Sequence, residues 1–234
     1  MTGRIVEQIQ LSNRQRDAMF RLLATHFQGP TRGQFDLDLG EKNWVVLIEQ
    51  AEALVGFSTL LVYPATVGEE HLTVICSGDT IVSPSAWGSM AFPRTWLQSI
   101  YSLPRGNGDG RLIWLLLTSG FRTYRFLPVF LREFYPRFGR QTPAEWDRMR
   151  LELATARFGS LYCPQRGVVR FAQPQRLRPE LAEIAPGRAL DPDVQFFLER
   201  NPGHVQGDEL VCIASLDQDN LAPAGRRVVY GTAR

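Results

Sequence analysis

Residues 72–90 read LTVICSGDTIVSPSAWGSM and residues 112–120 read LIWLLLTSG. The first stretch is a strand rich in β-branched residues, long enough to bend, with Gly78 placed to mark a bulge. Pro84 and Gly88 end it and open a loop that runs directly into a helical pattern over 90–103, where Trp96, Ile100 and Leu103 recur at three- and four-residue spacing. A polar loop over 104–111 follows. The continuous apolar run 112–117 then suits a central strand buried on both faces.

Upstream, Ile5, Glu7, Ile9 and Leu11 belong to a short alternating run that reads as a first strand. Ser12 precedes a helical pattern, Met19, Leu22, Leu23 and His26, which ends before Gly29 and Pro30. Residues 35–39 (FDLDL) read as a second short helix closed by Gly40. The segments 44–49 (WVVLIE) and 53–62 (ALVGFSTLLV) read as a hairpin with a polar turn near 50–52. Downstream, Tyr124, Leu127, Leu131, Phe134 and Phe138 predict a helix, with Pro128 in its first turn or kinking it and Pro136 limiting its end. Residues 143–158 form an amphipathic helix. An apolar stretch at 168–172, a proline-rich segment to 187, a short helix near 194–200 and a strand at 210–215 complete the chain, with loops at 201–203 and 220–225. No flexible linker precedes this tail, so residues 1–140 are expected to form a core that residues 141–234 complete or extend within one domain.

The chain has 234 residues, enough for one domain with a substantial core. Its 26 basic residues nearly balance 24 acidic ones without clustering, which argues against a nucleic-acid partner. The N-terminal MTGRIVEQIQ lacks the apolar region of a signal peptide, and the longest apolar run is too short to span a bilayer. Cys76, Cys163 and Cys212 show no CxxC spacing and are odd in number, as expected of reduced thiols in a cytoplasmic protein. His26, His71 and His204 have no ligand-like spacing, so no metal is expected. Serine-hydrolase, dinucleotide and P-loop motifs are absent from the sequence.

Individual residues carry competing readings. Asp79 is the ionised group in the middle of an otherwise apolar strand, which is costly unless it is paired or faces a cleft. It is either a general base or a bulge aspartate bonding local backbone beside Gly78. Glu133 is a second, weaker base candidate. Arg122 and Arg125 offer planar donors for a phosphate or an acidic carrier, or are solvated. Trp87 either stacks on a ligand or packs.

The order β, α, α, β, β, β, loop, α, β, α resembles that of the GNAT acyltransferase superfamily. Three segments strengthen the likeness: Ser83-Pro-Ser-Ala-Trp-Gly-Ser-Met90 between strand and helix, Thr118-Ser-Gly after the apolar strand, and Phe134-Tyr-Pro-Arg-Phe-Gly139. The resemblance implies an α+β fold with a mixed, mostly antiparallel sheet, helices on both faces and a C-terminal extension. It also implies that an acyl-CoA or an acyl-phosphopantetheine slides between two splayed strands. Ile81 and Val82 would then supply a backbone donor to the thioester carbonyl, and Trp87, Gly88, Ser89, Met90, Ser119 and Arg122 would line the donor site. Tyr135 would protonate the departing thiolate, unless it is a core aromatic.

The expected loop departs from the family pattern: Ser85 replaces a Gln or Arg, and Met90 replaces a small residue that lets backbone approach phosphate. Phe92, Trp96, Trp114, Phe121, Phe126 and Phe130 form either a large core or a tunnel for an acyl group longer than acetyl. The expected activity is N-acyl transfer to a small-molecule or peptide amine, with acyl-CoA or an acyl-carrier protein as donor. The alternative is a non-catalytic GNAT-fold protein that binds a pantetheine-bearing ligand or partner. An acyl-homoserine-lactone synthase ranks third, resting only on 35–39.

Overall fold

A computed structural model describes residues 1–103 and 110–231; residues 104–109 of the expected polar loop lie outside them. The chain opens with strand β1 (Thr2–Glu7), helix α1 (Asn13–His26), the two-residue β2 (Phe27–Gln28) and helix α2 (Arg32–Gly40). Ser12 caps α1 reciprocally with Gln15, so two backbone donors at the helix start are satisfied. Strands β3 (Trp44–Gln50), β4 (Ala53–Val67) and β5 (Glu70–Val82) form an antiparallel meander, and α3 (Ala91–Ser102) leads to β6 (Arg111–Thr118). Two short helices, α4 (Phe121–Tyr124) and α5 (Phe126–Phe130), precede α6 (Ala144–Phe158). The tail then contributes β7 (Tyr162–Cys163), β8 (Val168–Val169), β9 (Arg176–Leu177), α7 (Pro179–Ala182), α8 (Pro186–Ala189), α9 (Pro192–Arg200), β10 (Glu209–Ser215) and α10 (Pro223–Tyr230).

The main sheet runs β1-β3-β4-β5-β6-β10-β8-β7, and among the described residues only β5 and β6 pair in parallel. The tail therefore supplies three strands of this sheet. One face carries Ile75, Trp114, Leu116 and Cys212 under α3, α5, α9 and α10. On the other face, Val45, Leu47 and Phe57 pack under α1 and α2, while Val74, Leu115 and Ile213 pack under α6. Burial on both faces explains why β6 shows no polar alternation. The result is the mixed α+β sheet with helices on both sides.

Two segments differ from the sequence reading. The helix expected over 124–138 stops at Phe130. Pro128 has no N–H to give Tyr124, and Leu131 turns extended to bridge Leu221. Leu131 and Phe134 are buried nonetheless, by an extended segment whose Tyr135 exchanges two backbone hydrogen bonds with Ile213 (2.8 and 2.7 Å). The loop expected at 220–225 instead contains the start of α10, with Pro223 in its first turn, where a missing N–H costs nothing. Gly225 lets this helix approach: a Cβ there would lie 2.5 Å from the Phe130 carbonyl oxygen.

The last pair that β5 and β6 form is Ser77 with Leu116. Just below it the Trp114 indole donates to Ser77 Oγ at 2.8 Å, both residues being buried. Ser77→Ala would leave that N–H without a partner, at a cost of about 1–3 kcal/mol. The expected outcome is a Tm several degrees lower with an unchanged fold by circular dichroism; an unaltered Tm would show that the bond contributes nothing.

Candidate active site

Beyond Ser77 and Leu116 the two parallel strands part. The end of β5 pairs only with β4, Ile81 opposite Phe57 and Val82 opposite Gly56. The end of β6 pairs only with β10, Leu117 opposite Val211 and Thr118 opposite Leu210. A cavity of about 560 Å³ occupies the fork, its lining drawn from both sheet faces. Trp87, Phe92, Phe126 and Phe130 line it on the α3 and α5 side, and His26, Phe27 and Leu177 on the α1 side.

The fork begins at a bulge. Thr59 pairs with Gly78 but Phe57 pairs with Ile81, so β5 carries one extra residue. Asp79 sits there at φ +39°, a conformation unusual for a non-glycine residue. The insertion reverses which face each later residue occupies, and Ile81 consequently joins the cluster under α1. Asp79 is thus the bulge residue and also lines the cavity. Burial pushes its carboxyl up and the Asp38 charge adds to this, while Lys42 and a Thr59 hydrogen bond act against it.

Backbone groups at the tip of β5 are oriented by the same pairing. The Ser83 N–H donates to the Val55 carbonyl at 2.8 Å. Successive peptide groups in a strand point to opposite sides, so the N–H and C=O of Val82 face the fork. The Val82 carbonyl accepts the Trp87 indole N–H at 2.7 Å, which holds that ring at the cavity wall. The Val82 N–H is left facing the space between the strands.

Of the residues singled out from sequence, Asp79, Ile81, Val82, Trp87, Ser89, Ser119 and Arg122 line the cavity, while Gly88 and Met90 belong to the adjoining loop. Four amides of the loop turn inward: Ala86, Trp87 and Ser89 donate to loop carbonyls, and Ala91 donates to Ser89 Oγ. Pro93 removes another donor from the first turn of α3. Gly88 has a backbone that other residues could adopt and open space around it, so nothing there requires glycine.

Arg122 lines the cavity but is not a free phosphate ligand. It stacks 4.0 Å from the Trp87 ring centre and donates to the carbonyls of Leu181 and Glu183, tying the tail segment over the cavity. Arg125 pairs with Asp191 at 3.0 Å. Tyr135 requires a correction. It is bonded to the β10 edge away from β6, and its ring packs 5.7 Å from Trp146 under α6. Two strands, β6 and β10, separate it from the fork, because the expected helix that would have carried it over the sheet has ended.

Two titratable cavity residues, Glu209 and His26, are not among the site residues that the sequence singles out. Glu209 begins β10, directly before the buried run 210–215, and burial together with the Asp79 charge pushes its carboxyl from 4.5 up to about 8. The acid at the head of an apolar strand was its only sequence signal. His26 is 7% exposed, and its Nδ1 lies 2.8 Å from the Leu22 carbonyl. A carbonyl only accepts, so Nδ1 carries the proton in the neutral ring and Nε2 keeps the lone pair. That Nε2 is buried with no hydrogen-bond partner among the described residues. In the sequence His26 belongs to a helical stripe and shows no ligand-like spacing with His71 or His204. No three His, Cys, Asp or Glu side chains among the described residues are placed to hold a metal, and no described helix is long and apolar enough to cross a membrane. Cys76, Cys163 and Cys212 are free thiols.

The antiparallel meander, the parallel β5–β6 pair and the fork at its tips give the protein a GNAT-like fold. No family model and no curated protein matches the sequence. Among solved structures, the chain is similar to a probable N-acyltransferase from Enterococcus faecalis V583 (TM-score 0.43, 16% identity, 57% of this chain and 33% of that one). It therefore spans about a third of that protein's length. It is also similar to ElaA of Escherichia coli (TM-score 0.38, 16% identity, 58% and 92% covered). A third likeness is to a GCN5-related N-acetyltransferase from Kribbella flavida (TM-score 0.42, 10% identity, 89% and 64% covered).

The raised Glu209 carboxyl has a measurable consequence. Between its unfolded value of 4.5 and its folded value of about 8, the native state holds a proton that the unfolded chain has released. Stability falls as pH rises through that window. Glu209→Gln removes this dependence, so the variant should gain on the wild type from about pH 5 to pH 8, by the order of a few kcal/mol. Thermal denaturation across that range tests it; parallel curves for the two proteins would mean that the carboxyl is not held neutral.

Proposed function

We propose that the protein is an N-acyltransferase that moves an acyl group from a pantetheine thioester to an amine by direct attack. The observation that carries this reading is the fork itself, an open slot between strand tips with the Val82 N–H turned into it. A pantetheine arm is narrow and amide-rich, and the space between two parted strands supplies both room and unpaired backbone groups. The thioester carbonyl accepts from Val82, a donor aimed where negative charge develops.

In the reaction, the amine nitrogen bonds to the acyl carbon while the carbon–sulfur bond breaks. The proton lost by nitrogen passes to Asp79 and then to the departing thiolate, giving an amide and a free thiol. A thiolate is only a moderate base near neutral pH, so the reaction does not depend on a tyrosine acid. Accordingly, Tyr135→Phe should leave turnover within about two-fold, because Tyr135 is bonded to β10, two strands from the fork, and does not line the cavity; a ten-fold loss in kcat would return Tyr135 to the mechanism.

The donor we favour carries an acyl chain longer than acetyl. Phe92, Phe121, Phe126 and Phe130 line the cavity, with Trp96 and Trp114 packed behind them as core. The amides of Ala86, Trp87, Ser89 and Ala91 are already bonded within the 83–91 loop, which leaves fewer donors for a pyrophosphate. An acyl chain on a carrier protein's phosphopantetheine lacks that group, and a long acyl-CoA compensates for it by burying apolar surface. Thiol release should be followed with acetyl-, octanoyl- and palmitoyl-CoA and the matching acyl-carrier proteins, using a mixture of primary amines. Faster release from the longer donors is expected. Transfer from acetyl-CoA alone would overturn the chain-length assignment, and binding of every donor without release would overturn catalysis.

A further inference from the structure

The segment between β8 and α9 contributes Gln175, Leu177, Leu181, Ala185 and Arg188 to the cavity lining, yet no side chain from Arg170 to Asp193 is buried. A run so short of apolar burial belongs to the low end of local stability. Its two ends are nevertheless fixed. At the first, β9 pairs with β2, and Arg178 donates its N–H to the His26 carbonyl at 2.9 Å and its guanidinium to the Ala24 carbonyl at 3.0 Å. At the second, Asp191 accepts from the Asp193 N–H at the start of α9 and pairs with Arg125 at 3.0 Å. Arg188 lies 3.8 Å from the same carboxylate, and Gln195 donates to the Ala189 carbonyl at 3.2 Å.

Between these ends the attachment is thin. The N–H groups of Leu181, Ala182, Glu183 and Arg188 donate to carbonyls of the segment itself. Among the described residues, the hydrogen bonds that tie 179–188 to the rest of the protein are the two from Arg122, to the carbonyls of Leu181 and Glu183. Ile184, half-buried, packs at the edge of the core. Arg122 is itself well seated, 4.0 Å from the Trp87 ring centre and 4.6 Å from that of Phe121. We infer that residues 179–190 form a flap over the cavity, hinged after Arg178 and before Asp191, with Arg122 as its latch. When the guanidinium releases the two carbonyls, α7 and α8 lift together while β9 and α9 stay in place. Both carbonyls then meet water, so opening leaves no buried polar group unpaired. Lifting takes Leu181, Ala185 and Arg188 out of the lining and widens the way into the fork. The flap would gate any ligand of the cavity. Its test uses no acyl donor, so it and the transferase reading fail separately.

Amide hydrogen exchange, resolved by NMR on the full chain at pH 7, reads the opening. In the wild type, the hydrogen-bonded amides of Leu181, Ala182 and Glu183 should exchange about 100-fold faster than the Arg178 amide held by His26. Arg122→Met keeps bulk over Trp87 without its donors, and should speed those three amides by about ten-fold or more while leaving Arg178 and α9 within about two-fold. Arg122→Lys, which can reach one carbonyl, should fall between; if Arg122→Met does not fold, this variant and the wild-type pattern decide. Access is read separately by Ser119→Cys, at a cavity position 9% exposed, labelled with a bulky maleimide and located by mass spectrometry. Adding Arg122→Met or Arg122→Lys should accelerate that labelling. Exchange of the α7 amides at the Arg178 rate would show a fixed wall and overturn the inference. So would an Arg122 effect spread evenly over the tail, or a labelling rate that neither Arg122 variant changes.

Discussion

Every backbone amide in a buried strand needs a partner, and β5 and β6 stop supplying one another after Ser77 and Leu116. What forces the separation is a single inserted residue. The bulge at Asp79 turns β5 against β4, and β6 is drawn the other way by β10 from Ile113 to Thr118. Both strands therefore remain bonded on their outer sides while their inner sides open. The cavity, the orientation of Val82 and the partial burial of Asp79 all follow from that one local irregularity.

The same irregularity decides the electrostatics. A carboxylate in a regular strand would alternate either into an apolar cluster or onto a helix-covered face, and neither is tolerable without a counter-ion. At the bulge, Asp79 instead turns toward the gap, where Glu209 at the head of β10 meets it. The Asp79 charge adds to burial in raising Glu209's affinity for a proton, while burial and the Asp38 charge do the same for Asp79. The site holds carboxyl groups that favour their protonated form, rather than a fixed ion pair of its own.

The central strands were legible because their signals are local: β-branched runs, a glycine at the bulge, an uninterrupted apolar strand. The capped start of α1 and the amphipathic α6 were legible for the same reason. The stretch 124–138 misled because Leu131, Phe134 and Tyr135 are buried by long-range pairing with Leu221 and Ile213, and helical spacing cannot reveal that. The Tyr135 assignment depended on that helix and failed with it. Val82 was singled out through the resemblance and Trp87 through its place beside Gly88, and both line the cavity. Glu209 and His26 come from opposite ends of the chain, and only the fold brings them to one cavity. The role of 174–185 as a cavity wall was equally invisible, since its proline-rich sequence resembles a plain connection.

That wall is attached in an uncommon manner. Arg122, wedged on Trp87, grips the main-chain oxygens of Leu181 and Glu183 and touches no particular side chain there to do so. Anchorage of this kind is indifferent to which residues the segment bears. Leu181 and Ala185 can be exchanged for larger or smaller groups while the panel stays seated, so relatives could retune what the enclosure admits without rebuilding its frame.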